Sequence, residues 1–265
     1  MNLRLRLALG WLLLAAGFGL AAPFVPLAGP GAVQPSESLA PPSGGHWFGT
    51  DLLGRDVLSR VIWGARRTLL MAVIAVCVSA GSGSALGLAA GYRGGAWDGW
   101  AMRAVEVALA MPQLLTALVV VSALGPGAWS VGLAVGLAGA ASFARLARAA
   151  VLQVREQPYV QAAVALGMSP GEIIWRHVLR NIAPALAAFA TIHFAWAVLN
   201  TSALTFLGFG GDPAVPDWGL MLNEGRAYLI AAPWVSTVPG LAITLTVLAV
   251  NALGAWAGRP QTSAL

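Results

Sequence analysis

The chain contains no lysine, a single cysteine (Cys77) and three scattered histidines. One cysteine excludes an internal disulfide framework and any metal centre built from several thiolates. His46, His177 and His193 lie far apart, and no HExxH or comparable ligand spacing occurs, so no metal site is expected. The chain has no GxxxxGK[ST] phosphate loop, which excludes nucleotide hydrolysis of that type, and no nucleophile paired with a base. No catalytic residue is therefore expected. Charge is scarce too: 9 % of residues are charged, against about 25 % in ordinary globular proteins. The net charge of +5 rests on fifteen arginines placed at the ends of apolar runs. A nucleic-acid binder would cluster them among aromatics, so nucleic acid is not an expected partner.

What is abundant is apolar. Of the 265 residues 58 % are hydrophobic and 32 are glycine, as in closely packed transmembrane helices. The composition predicts an all-α, polytopic membrane protein. A helical span needs about 20 apolar residues, and six stretches meet or approach that length: Leu7–Leu27, Thr68–Gly91, Ala104–Leu124, Ala128–Ala150, Pro184–Leu207 and Val235–Trp256. The first follows Arg4 and Arg6 and lacks a well-placed small-residue cleavage site, so it reads as a retained helix rather than a signal peptide. With both termini cytoplasmic, the inner segments carry ten arginines and the outer ones five, in accord with the positive-inside rule. Four of those five, Arg55, Arg60, Arg66 and Arg67, crowd one short segment.

Three regions follow from this pattern: residues 1–67, a five-helix core over 68–257, and a short cytoplasmic tail at 258–265. Within the first, Pro30, Pro35, Pro41 and Pro42 suggest an extended linker. After it, Leu53, Val57, Val61 and Ala65 share one helical face while Arg55, Asp56, Ser59 and Arg60 share the other. That amphipathic pattern predicts a helix lying in the outer interface, with Asp56 and Arg60 paired four residues apart.

The polar interruption from Pro158 to Pro184 has its own structure. Tyr159, Ala162, Ala163 and Leu166 recur at helical spacing, and Gly167 supplies the backbone freedom for a tight reversal. Ser169, Pro170 and Glu172 then spell a capping box with proline at the first helical position. A second short helix is expected to follow, with Pro184 in the first turn of the next span. The small residues Ala162, Ala163 and Gly167 would let another protein surface approach closely.

These residues carry a family resemblance. Gln161-Ala162-Ala163, Gly167 and His177-Val178-Leu179 resemble the EAA loop of ABC-importer permeases, with Gln161 where glutamate is usual and Arg180 where proline is common. Phe48-Gly49-Thr50-Asp51, Gly54-Arg55-Asp56, Ser59-Arg60 and Gly64-Ala65-Arg66 are similar to the amino-terminal signature of one branch, the second permease of dipeptide, oligopeptide and nickel importers. Thr205-Phe206-Leu207-Gly208-Phe209-Gly210 and Asp217-Trp218-Gly219 match the same branch, so the likeness covers roughly Trp47 to Gly254. The resemblance implies a coupling helix, within the loop at 155–183, that docks on an ATP-hydrolysing subunit through Gln161, Ala162, Ala163, Leu166, Gly167, Met168, Ser169 and Glu172. It also implies a second homologous permease, two ATP-binding subunits that hold ATP and Mg2+, and an extracytoplasmic solute-binding protein, in a bacterial inner membrane. No cofactor is expected on this chain.

Polar groups at membrane depth are costly and mark paths or helix contacts. The candidates are Glu106, three residues after Arg103; Pro112, which should bend the third span; His193; and Asn200 and Thr201 in the fifth. The loop from Asp212 to Trp234, with Trp218, Glu224 and Tyr228, is long enough to meet a binding protein. The expected cargo is peptide. Nickel or a metal chelate is the alternative, supported by His193 alone. A self-sufficient secondary transporter has a thin basis in Glu106, without a visible repeat.

Overall fold

The computed structural model describes residues 3–21 and 29–257. The part of the expected first span at 22–28 and the tail at 258–265 lie outside the described residues. All regular structure among the described residues is helical, apart from one isolated bridge between Thr50 and Asp56. In chain order the helices are α1 (Leu3–Ala21), α2 (Val57–Arg93), α3 (Gly95–Ala110), α4 (Gln113–Leu124), α5 (Ala128–Arg155), α6 (Pro158–Ala165), α7 (Pro170–Ile173), α8 (Arg180–Leu204), α9 (Trp218–Gly225) and α10 (Trp234–Ala257).

Among the described residues four helices are long and apolar enough to cross a bilayer: Val57–Arg93, Ala128–Arg155, Pro170–Phe209 and Trp234–Trp256. A fifth arises if α3 and α4 count as one broken span. They meet at 97° across Met111 and Pro112, a sharper break than the bend expected of Pro112. Proline there cannot donate a backbone hydrogen bond, and Met111 takes an extended conformation, so α4 starts afresh. The described apolar stretch of α1, Leu5–Gly19, is shorter than a span. It is fixed to α10 by Trp11 Nε1, which donates to Thr246 Oγ1 at 3.0 Å.

The centre of the bundle is the pair α2 and α5, and its packing comes from small residues. A Cβ on Gly83 would lie 2.2 Å from the carbonyl oxygen of Ala140, and one on Gly87 equally close to that of Ala144. On the facing helix Gly132 and Gly136 meet Ile74 and Val78 in the same way. Only glycine permits this approach, and van der Waals contact is what associates helices where the solvent is itself apolar. Met71, Ala72, Ala75, Val131, Ala134, Val135 and Ala138 fill the seam, with Ala197 and Val198 of α8 closing it.

Two expectations are corrected at this level. The separate interfacial helix does not exist: α2 starts at Val57 and continues unbroken through the second span, 37 residues or about 55 Å. Asp56 begins it, accepting from the Ser59 amide at 2.7 Å, and no proline interrupts the run to Arg93. Its apolar face packs on protein, Val57 joining Met221, Ala232 and Val235. Likewise Pro184 does not open the fifth span but sits inside a 40-residue helix, Pro170–Phe209. A π-helical turn over Ile174–Leu179 precedes it, a widening that accompanies the hydrogen bond a proline cannot make.

Candidate functional site: a capped helical turn at one end and a charged plug at the other

At one end of the bundle, α6 and α7 form the polar turn. Gly167 has φ +78°, and the turn closes with the Met168 amide on the Ala163 carbonyl (3.1 Å) and the Gly167 amide on that of Val164 (3.0 Å). This is the two-bond helix ending that a left-handed residue permits. The capping box is present in full: Ser169 Oγ accepts from the Glu172 amide and the Ser169 amide donates to Glu172 Oε2, both at 3.4 Å. Val160, Ala163, Ile173, Val178 and Ile182 bury together against Val151, so the turn is a packed body rather than a loose loop.

That packing divides the eight candidate coupling residues. Ala163 faces inward and is closed to any partner; Met168 is half-buried. Gln161, Ala162, Leu166, Gly167, Ser169 and Glu172 are exposed, Leu166 at 87 %. Val164 is exposed beside them, and Trp175, at 75 %, lies across a groove of about 730 Å³ lined also by Arg176, His177 and Arg180. Trp175 and Val164 were not singled out from sequence; an apolar residue out of step with the buried face of a short helix was the available signal. At the same end Arg148 holds Asp98 with two bonds of 2.6 Å, and Arg155 donates to the carbonyls of Gly91 and Tyr92 at the end of α2.

The opposite end carries a plug of buried charge. Asp51 accepts from the Leu53 and Arg55 amides (2.9 and 3.0 Å) and from Arg55 Nε (2.7 Å), and it also pairs with Arg60. Arg60 reaches Glu224 of α9 at 2.6 Å, and Arg55 reaches it at 3.3 Å. The expected Asp56–Arg60 pair is therefore replaced: Asp56 caps α2 and bonds His46, and Arg60 goes to Asp51 and Glu224. Arg67 donates to the carbonyls of Gly210, Asp212 and Val215. So three of the four crowded arginines are structural. The proline-rich stretch is folded rather than extended: the Gln34 amide bonds the Leu53 carbonyl, and Gly54 (φ +72°) lies so near the Gln34 carbonyl that a Cβ would sit 1.8 Å from it.

The Asp217-Trp218-Gly219 run now has a physical reading. Asp217 caps α9 through the Leu220 amide at 2.9 Å, and burial raises its carboxyl above the usual range. Trp218 is buried, donating to Thr68 Oγ1 and to the Val61 carbonyl. A Cβ on Gly219 would meet the Ser202 carbonyl at 2.2 Å. The loop expected to offer Trp218 and Glu224 to a partner thus turns Trp218 inward and ties the half-buried Glu224 to Arg55 and Arg60, while Leu229 and Ile230 stand exposed.

The polar candidates within the spans separate as well. His193 is buried, Nε2 3.2 Å from Ser79 Oγ, its ring packed on Phe143, Phe189 and Trp196. Thr201 is buried and bonds the Ala197 carbonyl of its own helix at 2.9 Å; Asn200, half-buried, bonds that of Trp196. Glu106 and Pro112 are exposed, and among the described residues Glu106 forms no ion pair, with Arg103 or otherwise. No cluster of three or more acidic, histidine or cysteine side chains among the described residues could hold a metal.

Comparison with known proteins agrees with this arrangement. Residues 83–259 match the family described as "Binding-protein-dependent transport system inner membrane component". The chain is 38 % identical over 252 residues to the dipeptide transport system permease protein DppC of Alkalihalophilus pseudofirmus, covering 94 % of this chain and 83 % of that protein. It is 43 % identical over 213 residues to the glutathione transport system permease protein GsiD of Escherichia coli O1:K1, covering 80 % and 70 %, and matches GsiD of Shigella sonnei equally well. The chain belongs to the family of inner-membrane components of binding-protein-dependent transport systems, as a permease subunit of an ABC importer that does not itself hydrolyse ATP.

Proposed function

We propose that this chain forms half of the translocation path for short peptides, of the dipeptide and glutathione size class, and that the α6–α7 turn is where ATP-binding subunits grip it. The observation that carries the reading is a packed, doubly capped turn whose Leu166, Ala162 and Gln161 are exposed among the described residues. Moving a two-state path from about 1:99 to 99:1 takes roughly 5.5 kcal/mol of differential binding, which a packed helical turn can transmit and a loose loop cannot. The cargo class rests on the names of the similar permeases.

On this reading the α6 end is cytoplasmic, both termini lie inside, α1 belongs to the sixth span, and the plug at the α9 end faces outward. The partners are a second homologous permease, two ATP-binding subunits carrying ATP and Mg2+, and a solute-binding protein that meets the plug end near Leu229 and Ile230. Glu106, Pro112 and Asn200 stay open to a path, whereas the packing around His193 and Thr201 gives both a role inside the bundle. On this reading peptide is favoured over nickel as cargo.

The test is to tag the chain, express it with its neighbouring genes, and measure what copurifies, ATP hydrolysis, and uptake of labelled dipeptide and glutathione by proteoliposomes. Copurification with a second permease and ATP-binding subunits, with ATP-dependent uptake, supports the reading. Uptake by the isolated chain without ATP overturns it.

A further inference from the structure

The plug end contains a histidine whose two ring nitrogens both face carboxylates. His46 Nδ1 lies 2.9 Å from Asp56 Oδ1, and Nε2 lies 2.8 Å from Glu37 Oε2. A neutral imidazole has one N–H to donate, and an ionised carboxylate can only accept. Both contacts are hydrogen bonds only if one extra proton is present, on the ring or on a carboxyl. Asp56 also caps α2, its other oxygen accepting from the Ser59 amide at 2.7 Å. A proton on the ring, the one group common to both contacts, satisfies the two at once.

The backbone aims the ring. The His46 carbonyl accepts from the Ser43 and Gly49 amides (2.8 and 2.9 Å), and its own amide donates to Ser43 Oγ at 3.2 Å. Glu37 belongs to a short 3-10 turn, Pro35–Glu37, whose carbonyl accepts from Thr50 Oγ1. The imidazolium thus joins three pieces of chain: that turn, the loop at 43–49, and the head of α2. The same segment touches α10, where Trp234 Nε1 donates to the Thr50 carbonyl at 3.0 Å.

We infer that His46, Glu37 and Asp56 form a proton-operated clamp that fastens the 35–50 segment to the head of α2 and, through Thr50, to the start of α10. The charges acting on the ring are those two carboxylates; Asp56 first and then Glu37 raise its pKa above 6.5, against a smaller opposing effect of burial. A basic group whose folded pKa is raised contributes stability that is complete below its unfolded value and is lost as pH rises through the folded value. The clamp is therefore fully fastened below the unfolded value of about 6.5 and is released as pH rises through the raised pKa of the folded ring. This inference does not depend on the cargo or on where ATP-binding subunits dock.

The experiment uses the transporter assembled in lipid nanodiscs, with histidine isotopically labelled in this chain alone and its three ring signals assigned from single variants. The expected result is a His46 ring protonated on both nitrogens at pH 6, with a titration midpoint above 6.5 that falls in Glu37→Gln. Hydrogen exchange of residues 37–56, corrected for the intrinsic pH dependence, should speed up above that midpoint in the native chain. In His46→Arg the step should vanish with protection kept, and in His46→Gln it should vanish with protection lost. A His46 midpoint at or below 6.5, or an exchange step that survives in His46→Gln, overturns the clamp. If the variants do not assemble, the titration of the native chain decides alone.

Discussion

Arg60 and Glu224, 164 residues apart in sequence, are joined at 2.6 Å, and the same guanidinium also pairs with Asp51. This contact ties the head of α2 to α9. Arg60 and Asp51 are each 1 % exposed, whereas Glu224 shows 26 % of its side chain to solvent. The two acids should therefore differ as targets. Asp51→Ala leaves two buried guanidinium groups sharing Glu224 as their one remaining carboxylate partner, at a cost of about 3–5 kcal/mol, and should sharply lower accumulation in the membrane. Glu224→Gln keeps an acceptor at a partly wet position and should cost roughly 1 kcal/mol. Thermal aggregation midpoints of the two purified variants check the order.

The α2–α5 seam gives a second prediction. Gly83→Val places new atoms against the Ala140 carbonyl, backbone that cannot yield without separating the helices. The variant should fail to accumulate or should aggregate on extraction. Gly81→Ala, two residues away with nothing near its Cβ position, should behave as the native protein. Fluorescence-detected size exclusion of both variants distinguishes specific packing from general sensitivity of α2.

At the α6–α7 turn, Gly167 meets no neighbouring atom, so a larger side chain there has room but must adopt a left-handed backbone. Gly167→Leu should cost about 1–2 kcal/mol locally, leaving insertion intact while reducing ATP-driven uptake and recovery of ATP-binding subunits. Quantifying those subunits in the purified complex checks this. Normal uptake in that variant would assign the docking contact elsewhere.

His193 supplies a contrast. It is enclosed by three aromatic rings and Ser79, and Gly139 is so close that a Cβ would sit 2.4 Å from Nε2. His193→Ala should behave as a core truncation, costing roughly 3 kcal/mol as other large-to-small core changes do. Uptake of every cargo should fall in the same proportion, and excess nickel should compete for none of them. A selective loss of one cargo would instead put His193 on the path.

Much of this was legible because local chemistry and global fold agree. Ser169, Pro170 and Glu172 specify a helix start by themselves, and Gly167 a helix stop, so the turn could be read residue by residue. Four of the six expected spans followed from apolar length, with α3 and α4 as a broken fifth. What sequence did not reveal depends on contacts between distant segments. Leu53, Val57, Val61 and Ala65 have the period of an interfacial helix, yet the same pattern suits a helix end packed on α9 and α10, and only Met221, Ala232 and Val235 decide between them. Asp56 and Arg60 have pairing spacing, but Asp56 serves the α2 amino terminus and Glu224 lies 164 residues from Arg60. Ala162 and Ala163 look alike in sequence, and their opposite exposure appears only once Ile173 and Val178 are placed beneath the turn.

That difference provides the most direct test of the coupling assignment. Cys77 is first changed to serine, and single cysteines are then placed at Leu166 and at Ala163 in the assembled importer. A short bifunctional crosslinker is added with and without nucleotide. The account predicts that the cysteine at 166 joins this chain to an ATP-binding subunit, with a yield that changes on ATP binding, and that the cysteine at 163 does not. An ATP-hydrolysing complex in which position 166 never reaches that subunit would contradict it.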